Sequence, residues 1–159
     1  MLQPPTWTVV TCPRPSVRMA GHALSATVLL QGVSGVVGGY ALLAEPSGRL
    51  IGLPLAWLEG TPFSDYFVPG IILFSVIGVC PLVVAWGLWR GRSWAWYGSL
   101  LVGMNLAIWI VVEIVMIGYQ PDPPLQALYG SLSFVILSLS AAPSVRQRLL
   151  ETEQGYRRV

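Results

Sequence analysis

At 159 residues the chain suits one domain, and 54% of it is hydrophobic against 10% charged, where soluble domains carry about 25% charge. So apolar a chain exposes large sticky patches in water and belongs in lipid, and a formal net charge of +2 without a basic cluster gives no footing for nucleic acid. All nine basic residues are Arg, which a GC-rich coding sequence explains, and two cysteines, Cys12 and Cys80, make neither a disulfide framework nor a zinc site.

Residues 1–20 hold Pro4, Pro5, Pro13 and Pro15, with Arg14 and Arg18 before the first apolar run, and read as an irregular cytoplasmic tail. Met19 is an alternative start. A transmembrane unit is expected over 21–143. Its first span is about Ala23–Ala44, longer than the apolar core of a signal peptide and without a small-x-small cleavage site after it. Gly32, Gly35 and Gly39 share one helical face there, and the last two form a GxxxG spacing. Such glycines let a second helix approach closely where lipid removes the hydrophobic drive.

Residues 45–67 form the longest connection. Glu45-Pro46-Ser47-Gly48-Arg49 reads as a turn, followed by an apolar stretch, Leu50–Leu58, that Gly52 and Pro54 interrupt. This stretch is too short and broken to span, so an interfacial or re-entrant segment is expected, with Trp57 and Tyr66 at headgroup depth. The second span is about Val68–Trp89, with Pro69 in its first turn and Pro81 inside, where a kink is expected. Thr61 or Ser64 is placed to cap it, and Asp65 lies near the positive end of its dipole.

Arg90-Gly91-Arg92 allows only a tight turn into a third span, about Trp94–Ile117, which contains Asn105 and Glu113. Helical spacing puts Gly98, Asn105, Trp109, Val112 and Met116 near one face, with Glu113 at its margin, and a face of that kind is expected to point inward. A carboxylate in hydrocarbon needs either protonation or a partner. Glu113 is therefore a candidate functional acid, or else an outer acid that caps the 45–67 segment or pairs with Arg49. Asn105 is a candidate cavity residue or interhelical contact, and Asp65 a third candidate polar residue. After the Pro-rich loop 118–124, the fourth span is about 125–142, and a basic tail over 144–159 ends the chain.

The predicted fold is thus all-α, a four-helix transmembrane bundle with the interfacial segment between helices 1 and 2. Eight of the nine arginines fall with the tails and the 90–92 turn, and Arg49 stands alone on the other side. The positive-inside rule then places both termini in the cytoplasm of a multi-pass protein of the cell membrane.

The segment Gly60-Thr61-Pro62-Phe63-Ser64-Asp65-Tyr66-Phe67-Val68-Pro69-Gly70, followed by a Trp-containing third span, resembles a group of uncharacterised small four-helix bacterial integral membrane proteins over about residues 50–130. The resemblance implies a fold and a cytoplasmic-membrane address, and no activity.

No metal-ligand cluster, phosphate loop or Cys-x-x-Cys occurs, and the only His, His22, lies at the opposite end from Glu113. No cofactor is implied, and an enzyme of the usual kinds is not indicated. Three function classes remain: a non-catalytic membrane module or subunit, a small oligomeric carrier or channel using Asn105 and Glu113, and a membrane-embedded enzyme acting on a lipid-like substrate. The first leads, because the glycine and serine faces suit packing on a membrane-protein partner or a second copy in the lipid bilayer.

Overall fold

The structure is a computed structural model that describes residues 15–143, 145 and 146. These residues are helical, with no strand among them. Helix α1 covers Pro15–Ala44, α2 covers Phe67–Trp89, α3 covers Trp94–Ile117 and α4 covers Leu125–Ala141. The first three are long and apolar enough to cross a membrane, α1 over Met19–Ala44. The fourth expected span forms a helix of 17 residues, roughly 26 Å at 1.5 Å per residue and shorter than the others. The expected irregular tail over 1–20 ends earlier than its composition implies, because Pro15 opens α1 at a position where its missing N–H costs nothing. Residues 1–14 and the expected 144–159 tail, apart from Val145 and Arg146, lie outside the described residues.

Pro81 does not stop α2. The helix widens over Leu73–Val79 into π turns, with Cys80 N–H donating to Ser75 O, and Pro81 follows directly. Widening of this kind is one way a helix accommodates a residue that cannot donate. Without an N–H at 81, the Ile77 carbonyl four residues back has no helical donor from that position. Gln31 Nε2, from α1, lies 3.4 Å from it and donates instead.

The glycine face of α1 packs on α2. A Cβ at Gly32 would come within 2.6 Å of Leu82 Cδ2, and one at Gly39 would collide with the Phe74 backbone. Gly78 answers from α2, where a Cβ would sit 2.7 Å from Val36 N. The close approach read from the spacing is therefore made within the chain, by the next helix in sequence.

α3 and α4 form the second close pair. Trp96 Nε1 donates to Ser140 O at 2.8 Å, and Ser140 Oγ donates to Ser99 Oγ at 2.9 Å, which binds the two helices at the Arg90–Arg92 end. At that end all four helices meet in a core that includes Leu24, Val28, Leu88, Ala95, Val102 and Ile136. Towards the other end, α3 has little contact with the π segment of α2, so the α1–α2 and α3–α4 pairs diverge. The 45–66 segment folds over this open end.

That segment is held by its own chemistry. Two 3-10 turns, Arg49–Ile51 and Leu55–Leu58, are stitched by Leu53 N–H to Gly48 O at 2.9 Å and Tyr66 N–H to Pro46 O at 2.9 Å. Gly48 takes φ 77°, and a Cβ there would press on the Tyr66 ring at 2.9 Å. Tyr66, expected at headgroup depth, is 5% exposed and packs with Leu42 and Leu58. Its hydroxyl donates to Pro54 O at 2.8 Å. A phenol with a carbonyl within reach is best satisfied by turning inward.

Candidate functional site

Where the two helix pairs diverge, they enclose a cavity of about 490 Å³. Its floor follows from chain direction: Gln31 on α1, Ile77 on α2 and Leu106 on α3 are the lining residues nearest the arginine-bearing end. Its roof is the 45–66 segment, through Leu53, Trp57, Thr61 and Phe63 among others, and the first turns of α4 close one side with Gln126 and Tyr129. The lining is predominantly apolar and aromatic, with few polar groups, which is the usual make-up of a small-molecule pocket.

Glu113 projects from α3 into this cavity. Trp109, one turn earlier on the same helix, donates its indole N–H to Glu113 Oε1 at 2.9 Å. Arg49 does not reach the acid. It lies 3.8 Å from Glu45 on the exposed turn, so the expected Glu113–Arg49 pair is not formed. Among the described residues no Arg or His lines the cavity, and Glu113 is its one carboxylic acid. The Ser47 hydroxyl and then Arg49 hold the Glu45 carboxyl below its ordinary range. Burial, and after it the neighbouring Glu113, pushes the Tyr66 phenol above its ordinary 10.0.

The sequence candidates divide on this geometry. Trp109, Val112, Glu113 and Met116 line the cavity together, so the outer half of the expected inward face is real. Asn105, expected on the same face, is exposed and lines no part of the cavity, because the helix rotates it off the seam while neighbouring Leu106 takes the floor. Asp65 is half-buried outside the cavity, where its Oδ1 accepts from Phe67 N–H at 2.9 Å beside the start of α2. Thr61 serves the roof rather than the helix, donating to Leu58 O at 2.8 Å. Trp57 is half-buried in the roof, and both it and Tyr66 line the cavity.

Gln31 is the residue that sequence reasoning passed over. It is 1% exposed and lines the floor, with Nε2 directed to Ile77 O and Oε1 left without a partner. The signal was present as a lone amide inside an apolar span. What it pairs with depends on Pro81, fifty residues away, and only the fold joins them. Among the described residues no three His, Cys, Asp or Glu side chains gather as a metal site.

No family model, curated protein or solved structure matches this chain. The resemblance over residues 50–130 therefore gains no support from these comparisons, and the cavity's chemistry has to speak for itself. The chain is an all-helical protein with apolar helices of membrane-spanning length.

Proposed function

We propose that this is a multi-pass protein of the cytoplasmic membrane, with four spans and both termini inside, which binds a small lipid-like molecule in the cavity under the 45–66 segment. The observation that carries the reading is the cavity itself. About 490 Å³ of apolar space with one acid on its wall is more than imperfect packing leaves, since interiors normally keep few voids larger than a water. The volume suits a single-chain or ring-sized ligand and is too small for a diacyl phospholipid.

The reading displaces the non-catalytic module as the leading one. The glycine face that suited a partner is occupied by α2, and the buried serines Ser99, Ser133 and Ser140 serve the α3–α4 seam. A channel through one chain using Asn105 and Glu113 is disfavoured, since only Glu113 enters the cavity.

The direct test is purification in mild detergent, solvent extraction and mass spectrometry of what is released, for the natural chain and a Gly38→Leu variant. A Cβ at Gly38 meets only the Leu73 side chain, at 3.4 Å, so a leucine grows into the cavity without moving backbone. A near-stoichiometric molecule in the natural chain, strongly reduced in a folded Gly38→Leu, is expected. An empty natural chain, or equal recovery from both, overturns the reading.

A further inference from the structure

The polar groups of the cavity are unequal, and the inequality selects a ligand. Most of its donors are spent inside the chain. Ser34 Oγ donates to Gln31 O, Thr61 Oγ1 to Leu58 O, Tyr66 OH to Pro54 O, Trp109 Nε1 to Glu113 Oε1 and Gln126 Nε2 to Gly118 O. Trp57 Nε1 and Tyr129 OH make no hydrogen bond among the described residues, but the one side-chain polar atom buried there without a partner is an acceptor. Gln31 Oε1 is buried at the floor with no partner, and the indole N–H meets only one of the two carboxylate oxygens of Glu113.

The Gln31 amide cannot be turned to hide this, because the atom facing the Ile77 carbonyl has to be the NH₂. Gln31 Oε1 is closed off from the cavity's space, so the acceptor that a ligand can meet is the Glu113 carboxylate. The lining also carries the aromatic side chains Trp57, Phe63, Tyr66, Trp109 and Tyr129, whose ring faces attract cations, and Trp109 touches the acid itself.

We propose that the cavity takes a lipophilic amine, bound as its ammonium ion against Glu113 with its apolar body directed to the floor at Gln31, Ile77 and Leu106. This rests on the reading that the cavity holds a ligand. Charge complementarity argues for it: among the described residues the lining has one carboxylate and no basic side chain, and an ammonium supplies both the counter-charge and the donors. Dimensions agree as well. Seven residues of α3 separate Leu106 from Glu113, about 10 Å along the helix axis, which matches the body of an arylalkyl amine.

The experiment is calorimetric titration of the full chain in a non-ionic detergent at neutral pH with 4-phenylbutylamine and with its uncharged counterpart, 4-phenylbutan-1-ol. The natural chain should bind the amine about tenfold or more tightly than the alcohol, as expected of a charge-assisted hydrogen bond in a dry site. In Glu113→Gln, which keeps an oxygen for Trp109, that preference should disappear while the alcohol still binds. Glu113→Asp should restore part of it.

Equal binding of amine and alcohol, unchanged in Glu113→Gln, overturns the ammonium assignment and leaves the cavity reading standing. Failure of both probes to bind the natural chain, with no difference from Gly38→Leu, overturns both.

Discussion

Gln31 and Pro81 act as one unit across two helices. The proline withholds a donor from its own helix, and the amide of Gln31 supplies one to Ile77 O from α1. Replacing Gln31 by Leu removes that donor and should lower stability by about 1–3 kcal/mol. In a Pro81→Ala background the backbone N–H at 81 returns, so the same Gln31→Leu change should cost measurably less. A thermal-denaturation double-mutant cycle in detergent checks this, and simple additivity would sink the account.

Tyr66 carries a second residue-scale prediction. Its hydroxyl holds the Leu55–Leu58 turn through Pro54 O, and burial keeps the phenol protonated past its ordinary 10.0. A group whose folded value is raised contributes stability that is intact below the unfolded value and lost as pH rises through the folded one. Thermal stability should therefore fall above about pH 10, and Tyr66→Phe should lose part of that fall. At neutral pH the same variant should lose about 1 kcal/mol and speed amide exchange across 49–60. An alkaline profile identical to that of the natural chain counts against the assignment.

At the scale of elements, the α1–α2 contact is decided by which glycines face backbone and which face space. Gly39→Leu drives a side chain into the Phe74 backbone, whereas Gly38→Leu meets one flexible side chain. The first should cost 3 kcal/mol or more, roughly the upper end for overpacking, and the second little. Melting temperatures of the two variants, adjacent in sequence and identical in composition, separate the cases. The spacing of Gly35 and Gly39 made this face legible beforehand. The identity of its partner was not, since a glycine face reads the same whether the next helix is its own or another chain's.

Elements also show where periodicity misleads. A 3.6-residue repeat placed Glu113, Trp109, Val112 and Met116 on one side of α3 correctly, and failed at Asn105. The buried positions of α3, Ala95, Ser99, Val102, Leu106 and Ile110, keep the helical repeat, and Glu113 continues it in the cavity. The expected face was centred about a quarter turn away, on Asn105 and Val112, because angular spacing fixes which residues share a side and leaves open which side meets a neighbour.

For the whole molecule, the arginine distribution predicts which end is cytoplasmic. With Cys12 and Cys80 replaced by Ser, a Ser47→Cys variant should react with an impermeant maleimide on intact cells, because residue 47 lies in the 45–66 cap. Reaction only after permeabilisation would reverse the proposed orientation. The divergence of the helix pairs is likewise a property of the whole chain: small and apolar residues close the arginine-bearing end, and the cap with its buried Tyr66 covers the other.

The amino-acid sequence by itself determined that the chain is helical and apolar, and about where its long apolar helices fall, with 45–67 outside them. Those properties follow from local composition and chain length, because hydrocarbon requires each spanning segment to satisfy its own backbone. Only the tertiary structure decided that Gln31 answers Pro81, that Tyr66 turns inward, that Asn105 faces out, and that Glu113 lines a cavity in which no other described residue is charged. Each of these depends on what a neighbouring helix presents at a given height, and a neighbour's identity and rotation are not local quantities.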